Sequence, residues 1–406
     1  MSALIDALRQ RLPAECVITD ELRRLAYGTD GSFYRLIPEV VAVVNDEAEV
    51  CDVTRIARDH GRPVTFRAAG TSLCGQAVTD GVLVLLGEGL ATCHIGAGGT
   101  TVQVGPAIVG AEVNRRLAPL GRKIGPDPAS INAAKIGGIA ANNSSGMCCG
   151  TAQNSYNTLA AIRVMLADGT LLDTGEAASV AAFKASHGGL LDSLGGLAAR
   201  VRADHALASR IRAKYKIKNT TGYSLNALVD YTDPVDILAH LMIGSEGTLG
   251  FISRVTYHTV PEYAHKASAL AFFPDMESAC RAVVGLKQRP VDAVELLDRA
   301  SLRCVADKPG MPPLLKTLPD GVTALLIETR APDATALQAR ITAVLEALQA
   351  AGLAVAGAVR RRRGEDPAAV RADLRARNAE RTRRTLGELK GGALKAGQLL
   401  STVEAL

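Results

Sequence analysis

The stretch Pro63 to Gln76, PVTFRAAGTSLCGQ, restricts this chain more than any other. Pro63-Val64-Thr65-Phe66 reads as a short strand, and Arg67-Ala68-Ala69-Gly70-Thr71-Ser72 then leaves the backbone bare with two hydroxyls beside it. Glycine admits positive φ and close approach, and successive N–H groups turned inward form a concave nest for an anion such as a diphosphate. Arg67 either holds such a loop or adds charge to it. A tight turn at a strand end uses the same residue types. The loop is not alone, however.

A second unusual stretch begins with Gly125-Pro126-Asp127-Pro128-Ala129-Ser130 and resumes at Lys135 as KIGGIAANNSSGMCCG. It crowds Gly137, Gly138 and Gly146 together with Asn142, Asn143, Ser144 and Ser145. So many turn formers and hydrogen-bonding side chains between strong strands ask for a polar ligand; a plain surface loop would carry more charge and lack the Ile136 and Ile139 anchors. Lys216 to Tyr223, KIKNTTGY, is a polar loop, and Gly244 to Gly250, GSEGTLG, is a third glycine motif that runs into the strand 251–260.

The 406 residues suffice for two or three domains. Aromatics make up 3% with no Trp, which disfavours a base-stacking nucleic-acid binder. The net charge of +5 is uneven: residues 360–384 hold ten Arg against four acids, so the remainder is near neutral. No nucleic-acid partner follows from it. The eight Cys show no CxxC spacing, so neither zinc nor a cysteine-ligated cluster is read, and no metal site is expected. The first residues, MSALIDALRQRL, form an amphipathic helix with no likeness to a signal peptide, and no apolar run reaches spanning length. The expected location is the cytoplasm, with docking at the inner face of a membrane left open by the basic segment.

In order, the chain reads as helices over 2–12 and 21–25, strand 40–44, helix 47–60, strand 64–66 and the glycine loop, then strand 82–86, two short strands within 91–110 and helix 111–120. Strands 161–166 and 171–174 flank an Asp168-Gly169 hairpin turn. Residues 176–210 are largely helical, and Pro234 to Leu241 is a helix. From about 265 strands and helices alternate regularly to 351, a ferredoxin-like layer with its boundary near Pro261.

The motifs RAAGTSLCGQ (67–76), GPDPAS (125–130), IGGIAANNSSGMCCGTAQNSYNTL (136–159), IKNTTGYSLNALVD (217–230) and LMIGSEGTLGFI (241–252), in this order, closely resemble the FAD-binding fold of the vanillyl-alcohol oxidase and p-cresol methylhydroxylase (PCMH) superfamily. Within it the chain resembles the D-lactate and D-2-hydroxyglutarate dehydrogenase branch, above all the large FAD plus iron-sulfur enzymes. The absence of GxGxxG argues against a Rossmann fold. The resemblance implies an α+β chain: a PCMH-type FAD-binding domain of two α/β subdomains over 1–262, an incomplete ferredoxin-like cap over 263–357, and an Arg-rich linker with a helical tail over 358–406.

It implies that Arg67, Ala68, Ala69, Gly70, Thr71, Ser72, Leu73, Gly75 and Gln76 cradle the FAD pyrophosphate. Pro126, Asp127 and Ser130 would line the flavin and ribityl region. Ile136, Gly137, Gly138, Asn142, Asn143 and Gly146 would wrap the nucleotide half, and Glu246, Gly247, Thr248, Gly250 and Ile252 would close over the adenosine end. Members of the resembled family that bind flavin covalently often use a His near this loop; the loop here contains none, so FAD is expected to be non-covalent. The implied chemistry is oxidation of a D-2-hydroxyacid with electrons passed to a separate acceptor. Asn219, Thr220 and Thr221 are the substrate-side candidates, with a plain turn as their other reading; no catalytic residue is assigned.

After Glu328 the match weakens. Lys395-Ala396-Gly397-Gln398 on a Leu-spaced segment resembles the KxGQ stretch of UbiB-like atypical kinases, and a basic amphipathic helix would look the same. The family chain continues past its cap and returns to the flavin domain. A fusion, frameshift or deletion is therefore expected here, with a catalytically inactive FAD-binding fragment as the alternative to an active dehydrogenase.

Overall fold

The computed structural model describes residues 3–309, 311–350 and 359–362. The chain divides after Pro261 into two compact units.

The first unit opens with α1 (Ala3–Arg9), β1 (Val17–Ile18), α2 (Glu21–Tyr27), β2 (Val40–Val44), α3 (Glu47–Asp59), β3 (Val64–Arg67) and β4 (Val82–Leu86). The strands form one sheet in the order β1-β2-β4-β3, with β2, β4 and β3 parallel. Asp46 starts α3 by accepting from the Glu49 N–H at 2.9 Å, while Glu49 accepts from the Asn45 N–H at 2.6 Å. This reciprocal arrangement is close to a capping box. Val50, Val53, Ile56 and Ala57 then fall on one helix face and are buried against Val40, Ala42 and Val84. Ile18, Val41 and Leu83 cover the other sheet face with Tyr27. Burial on both faces explains why β2 and β4 are continuous apolar runs rather than alternating ones.

The second subdomain holds β5 (Cys93–Ile95), β6 (Thr101–Val104), α4 (Gly110–Leu117), β7 (Arg122–Ile124), α5 (Ile136–Asn142), α6 (Ser155–Thr158), β8 (Leu159–Met165) and β9 (Leu171–Asp173). It continues with α7 (Ala177–Ser186), α8 (Gly188–Ala203), α9 (His205–Lys214), α10 (Ala227–Asp230), α11 (Pro234–Met242) and β10 (Phe251–Pro261). Strand β10 is the spine: it pairs antiparallel with β6 and β8 on its two sides and, near its end, with β7. The β8–β9 hairpin turns at Gly169, φ +91°, with the Thr170 N–H bonded to Asp168 Oδ1 at 2.8 Å.

Residues 136–142, to which the sequence reading assigns a polar ligand but no secondary structure, form helix α5. Two adjacent glycines make a poor helix by propensity, but Ile136, Ile139 and Ala140 are all essentially fully buried at helical spacing. The core they enter outweighs the propensity. The helix ends at Asn143 in the left-handed region, φ +51°, and the Ser144 N–H reaches back to the Ile139 carbonyl at 2.9 Å.

The second unit contains β11 (His265–Phe273), α12 (Met276–Leu286), β12 (Ala293–Leu297), α13 (Arg299–Val305), β13 (Thr323–Ala331), α14 (Ala334–Ala350) and β14 (Val359–Arg362). Its sheet order is β12-β13-β11-β14, all antiparallel, which is the split βαβ arrangement of a ferredoxin-like layer. Asp275 and Asp298 cap α12 and α13 through the N–H groups of Ser278 and Ser301, at 2.7 and 2.8 Å. Strand β14 lies where the sequence suggested a linker, and it fills the fourth place in that sheet. Residues 363–406, with the Lys395–Gln398 stretch, lie outside the described residues.

Candidate cofactor site

Strands β3 and β4 are parallel neighbours, so the chain between them must cross the end of the sheet. It does so without a helix, as the loop 68–81. Arg67 holds the base of this loop: its guanidinium donates to the carbonyls of Tyr27 at 3.0 Å and Thr29 at 2.7 Å and lies over the Tyr27 ring. Burial lowers the Arg67 pKa from its ordinary value. Gly70, φ +68°, sits so close that an added Cβ would meet the guanidinium at 2.5 Å, and its carbonyl accepts from the Gly31 N–H at 2.8 Å. The Ser72 hydroxyl donates to Gln76 Oε1 and accepts from the Cys74 N–H at 3.2 Å.

Helix α5 faces the loop, with Gly138 placed so that a Cβ would touch Ala68 at 3.3 Å. The far end of α5 is clasped by the third glycine motif. The Gly244 and Glu246 N–H groups donate to the carbonyls of Ala140 and Ala141, at 3.1 and 2.8 Å. Glu246 is itself left-handed, φ +53°, and its Oε1 accepts from Asn142 Nδ2, while Asn142 Oδ1 accepts from the Ser144 hydroxyl at 2.8 Å. Burial pushes the Glu246 carboxyl above its ordinary pKa, against the Asn142 hydrogen bond.

Between these segments lies a cleft of about 590 Å³, within the size range of small-molecule and cofactor sites. Of the residues singled out from sequence, Ala68, Ala69, Gly70, Thr71, Ser72, Leu73, Gln76, Ser130, Gly137, Gly138, Asn142, Thr220, Thr221, Glu246, Gly247, Gly250 and Ile252 line it. Others stand behind the wall. Arg67 braces the loop, Gly75 packs on the Tyr34 ring, and Ile136 is core. Asn143 is buried and accepts from the Tyr156 N–H at 3.2 Å; Thr248 bonds the Ser245 carbonyl at 2.6 Å. Pro126 and Asp127 lie outside the lining; Asp127 pairs with Lys123 at 3.1 Å, and Pro128 takes the place at the wall. Gly146 packs on the Asp127 carbonyl. Asn219 closes a local turn onto the Thr221 carbonyl at 3.4 Å.

The lining also includes Phe66, Leu86, Lys135 and Phe251, which were not singled out, and Ser144 and Ser145, which were named in the second glycine-rich stretch without an assigned role. Ser144 and Ser145 stand inside a quoted motif, and Lys135 opens it. Phe66 and Phe251 gave no signal beyond ending or starting a strand, yet their rings meet at 5.0 Å.

The lining suits FAD. Alanine and glycine let an extended ligand reach the backbone, and the hydroxyls of Thr71, Ser72, Ser130 and Ser144 with Lys135 match a diphosphate. Glu246 and Asn142 offer acceptors to ribose or adenine, and Phe66, Phe251 and Ile252 offer apolar faces to flat rings. Arg67→Met should lower FAD affinity about tenfold, the worth of roughly one charge-assisted hydrogen bond to the loop's anchoring carbonyls. Fluorescence titration of the apo-chain with FAD checks this; unchanged affinity would mean the loop holds its shape without Arg67.

A two-subdomain α+β unit with this cleft has the form of a dinucleotide-binding protein. Residues 38–175 match the family described as FAD binding domain, and residues 262–396 match the C-terminal domain of FAD linked oxidases. The chain is thus similar to an FAD binding domain followed by the C-terminal domain of FAD linked oxidases, and FAD is its cofactor. The second match takes in most of the Arg-rich segment that the sequence set apart as foreign, and nothing in the comparisons supports a kinase-like tail.

Among curated relatives, the glycolate oxidase subunit GlcD of Bacillus subtilis is 26% identical over 76% of this chain and 55% of its own length. The D-2-hydroxyglutarate dehydrogenase of Haemophilus influenzae is 24% identical over 61% of this chain and 25% of its own length. The D-lactate dehydrogenase of Archaeoglobus fulgidus is 23% identical over 65% and 48%. The chain spans about half the length of such relatives, or less. An alkyldihydroxyacetonephosphate synthase structure, 14% identical, shares the fold with a TM-score of 0.60 over 89% of this chain and 61% of its own. Among the described residues no helix is long and apolar enough to cross a membrane, and no cluster of metal-ligating side chains occurs.

Proposed function

We propose that the chain oxidises a D-2-hydroxyacid of the D-lactate or D-2-hydroxyglutarate class and passes the electrons to a separate acceptor. The observation that carries this is the cleft itself, in a chain whose relatives include both dehydrogenases named above. Bound FAD supplies the two-electron acceptor. The chain's own residues hold it: the 68–76 loop and α5 grip it from two sides, and Glu246 closes one end. Thr220 and Thr221, at the exposed rim of the cleft, are the side chains proposed to meet substrate.

The second reading, an FAD-binding chain without turnover, is favoured by the cleft's lack of an evident base. His does not occur in the lining, and its only carboxylate already accepts from Asn142. Anaerobic addition of D-lactate, D-2-hydroxyglutarate or glycolate to the FAD-loaded chain separates the two. Bleaching of the flavin band supports the dehydrogenase, and a band that stays oxidised with all three supports the inert binder.

A further inference from the structure

Among the residues lining the cleft there are two charged side chains, Glu246 and Lys135. They sit toward opposite ends of α5: Lys135 immediately precedes it, and Glu246 bonds its last residue, Asn142. At about 1.5 Å of rise per residue the two ends are roughly 10 Å apart. The cleft is therefore polarised along its length.

Lys135 reaches across the end of the first sheet. Its ammonium donates to the Leu86 carbonyl at 2.9 Å, at the C-terminal edge of β4. In the sheet register Leu85 stands opposite Arg67, the residue after which the glycine loop departs. Adjacent strands lie about 4.8 Å apart, so the ammonium stands beside the root of that loop. The carboxyl edge of parallel strands is also where α/β sheets receive ligands. Among the described residues the ammonium has no carboxylate within ion-pair distance, and two of its three N–H groups are unused. Burial lowers its pKa, with the exposed Glu88 acting in the opposite sense, so an anion brought next to it would relieve that cost. Arg67 is not available for this role, because its guanidinium faces the Tyr27 and Thr29 carbonyls outside the cleft lining.

We propose that Lys135 is the counter-charge for the FAD diphosphate and thereby sets which way round the dinucleotide lies in the cleft. The inference rests on the FAD reading above and deepens it. The bare loop supplies neutral N–H dipoles and hydroxyls. Two negative charges entering a partly desolvated cleft need a cation as well. Glu246 repels the diphosphate from the other end of α5 and accepts from the donors of the adenosine half instead.

The test is a fluorescence titration of the full-length apo-chain with FAD and with riboflavin, each at low and high KCl. For the unaltered chain, FAD affinity should fall with salt while riboflavin affinity does not. Lys135→Met should weaken FAD by about 10- to 100-fold and remove most of the salt dependence, leaving riboflavin affinity unchanged. Lys135→Arg should recover most of the loss. FAD binding by Lys135→Met with wild-type strength and salt dependence would overturn the inference, as would an equal loss for FAD and riboflavin, which would indicate a packing role. If riboflavin binds too weakly to follow, a salt-independent FAD affinity in the unaltered chain overturns it alone. Failure of the unaltered chain to take up FAD would bring down the cofactor assignment as well.

Discussion

Gly146→Ala should leave the purified chain without FAD and lower its thermal midpoint by about 10 °C. An added Cβ at Gly146 would land on the Asp127 carbonyl oxygen, with the carbonyl carbon only 2.5 Å away. Both obstacles are backbone, so no side chain can swing aside. One of the two segments has to move. The Asp127 side carries Pro128 and Ser130 to the cleft, and the Gly146 side carries Ser144 and Ser145. Either shift deforms the cofactor wall, and the Gly146 N–H also loses its 3.0 Å contact to Cys149 Sγ. Overpacking of this kind costs about 3 kcal/mol, and each kcal/mol moves the midpoint of a domain this large by roughly 2–4 °C.

Gly150→Ala is the matching control. Gly150 has φ +51° with nothing within 4 Å of an added Cβ, so only the left-handed backbone is penalised, at about 1 kcal/mol. Flavin absorbance after gel filtration and a thermal melt of both variants are the measurements. Equal behaviour of the two would refute the steric argument.

Arg163→Met should destabilise the first unit by about 2–3 kcal/mol at neutral pH. Arg163 donates through Nε and Nη2 to the two Glu47 oxygens at 2.7 and 2.9 Å and lies 3.6 Å from Asp173, whose side chain is only 5% exposed. Arg254 bonds Asp173 as well, and the Ser253 hydroxyl bonds Glu47 at 2.6 Å. This network ties α3 in the first sheet layer to β8, β9 and β10 in the second, the two layers that carry the cleft walls. Removing one partner strands charge rather than deleting a neutral contact. Breaking a fully buried pair costs about 3–5 kcal/mol, and the partial exposure here reduces that.

The pH dependence follows from Glu47. Hydrogen bonds from Arg163 hold its carboxyl below the ordinary value of 4.5, in spite of burial. A carboxyl depressed in the folded state contributes stability above its unfolded pKa, and that contribution fades as pH falls through the folded pKa. The gap between the unaltered chain and Arg163→Met should therefore be widest near pH 7 and narrow below about pH 4. Urea denaturation at pH 7 and pH 3.5 measures it; an equal gap at both values would show that packing, not charge, is what the variant loses.

Local chemistry made much of the cofactor side legible in advance. A strand followed by Arg-Ala-Ala-Gly-Thr-Ser has few uses, and the residues from Ala68 to Ser72 all line the cleft. The Asp46 and Asp275 caps and the Asp168-Gly169 turn act within a few residues of themselves, so the elements they bound could be read directly. Helix α5 was not read in advance, because two glycines and a run of Asn and Ser carry no helix signal. Burial of Ile136 and Ile139 depends on a core assembled from distant segments, and that core makes the stretch helical.

By itself, then, the sequence determined where backbone would be bare and hydroxyls dense, and so that a polar ligand would be held. Those properties belong to short runs of residues. The tertiary structure alone decided which side chains of each run face the ligand: Asn142 lines the cleft while its neighbour Asn143 turns into the protein to hold Tyr156. It also decided that Lys135 meets Leu86, 49 positions away in the chain, at the edge of a parallel sheet. Pairing in such a sheet and the choice of buried helix face are settled by long-range packing, which leaves no local mark at either position.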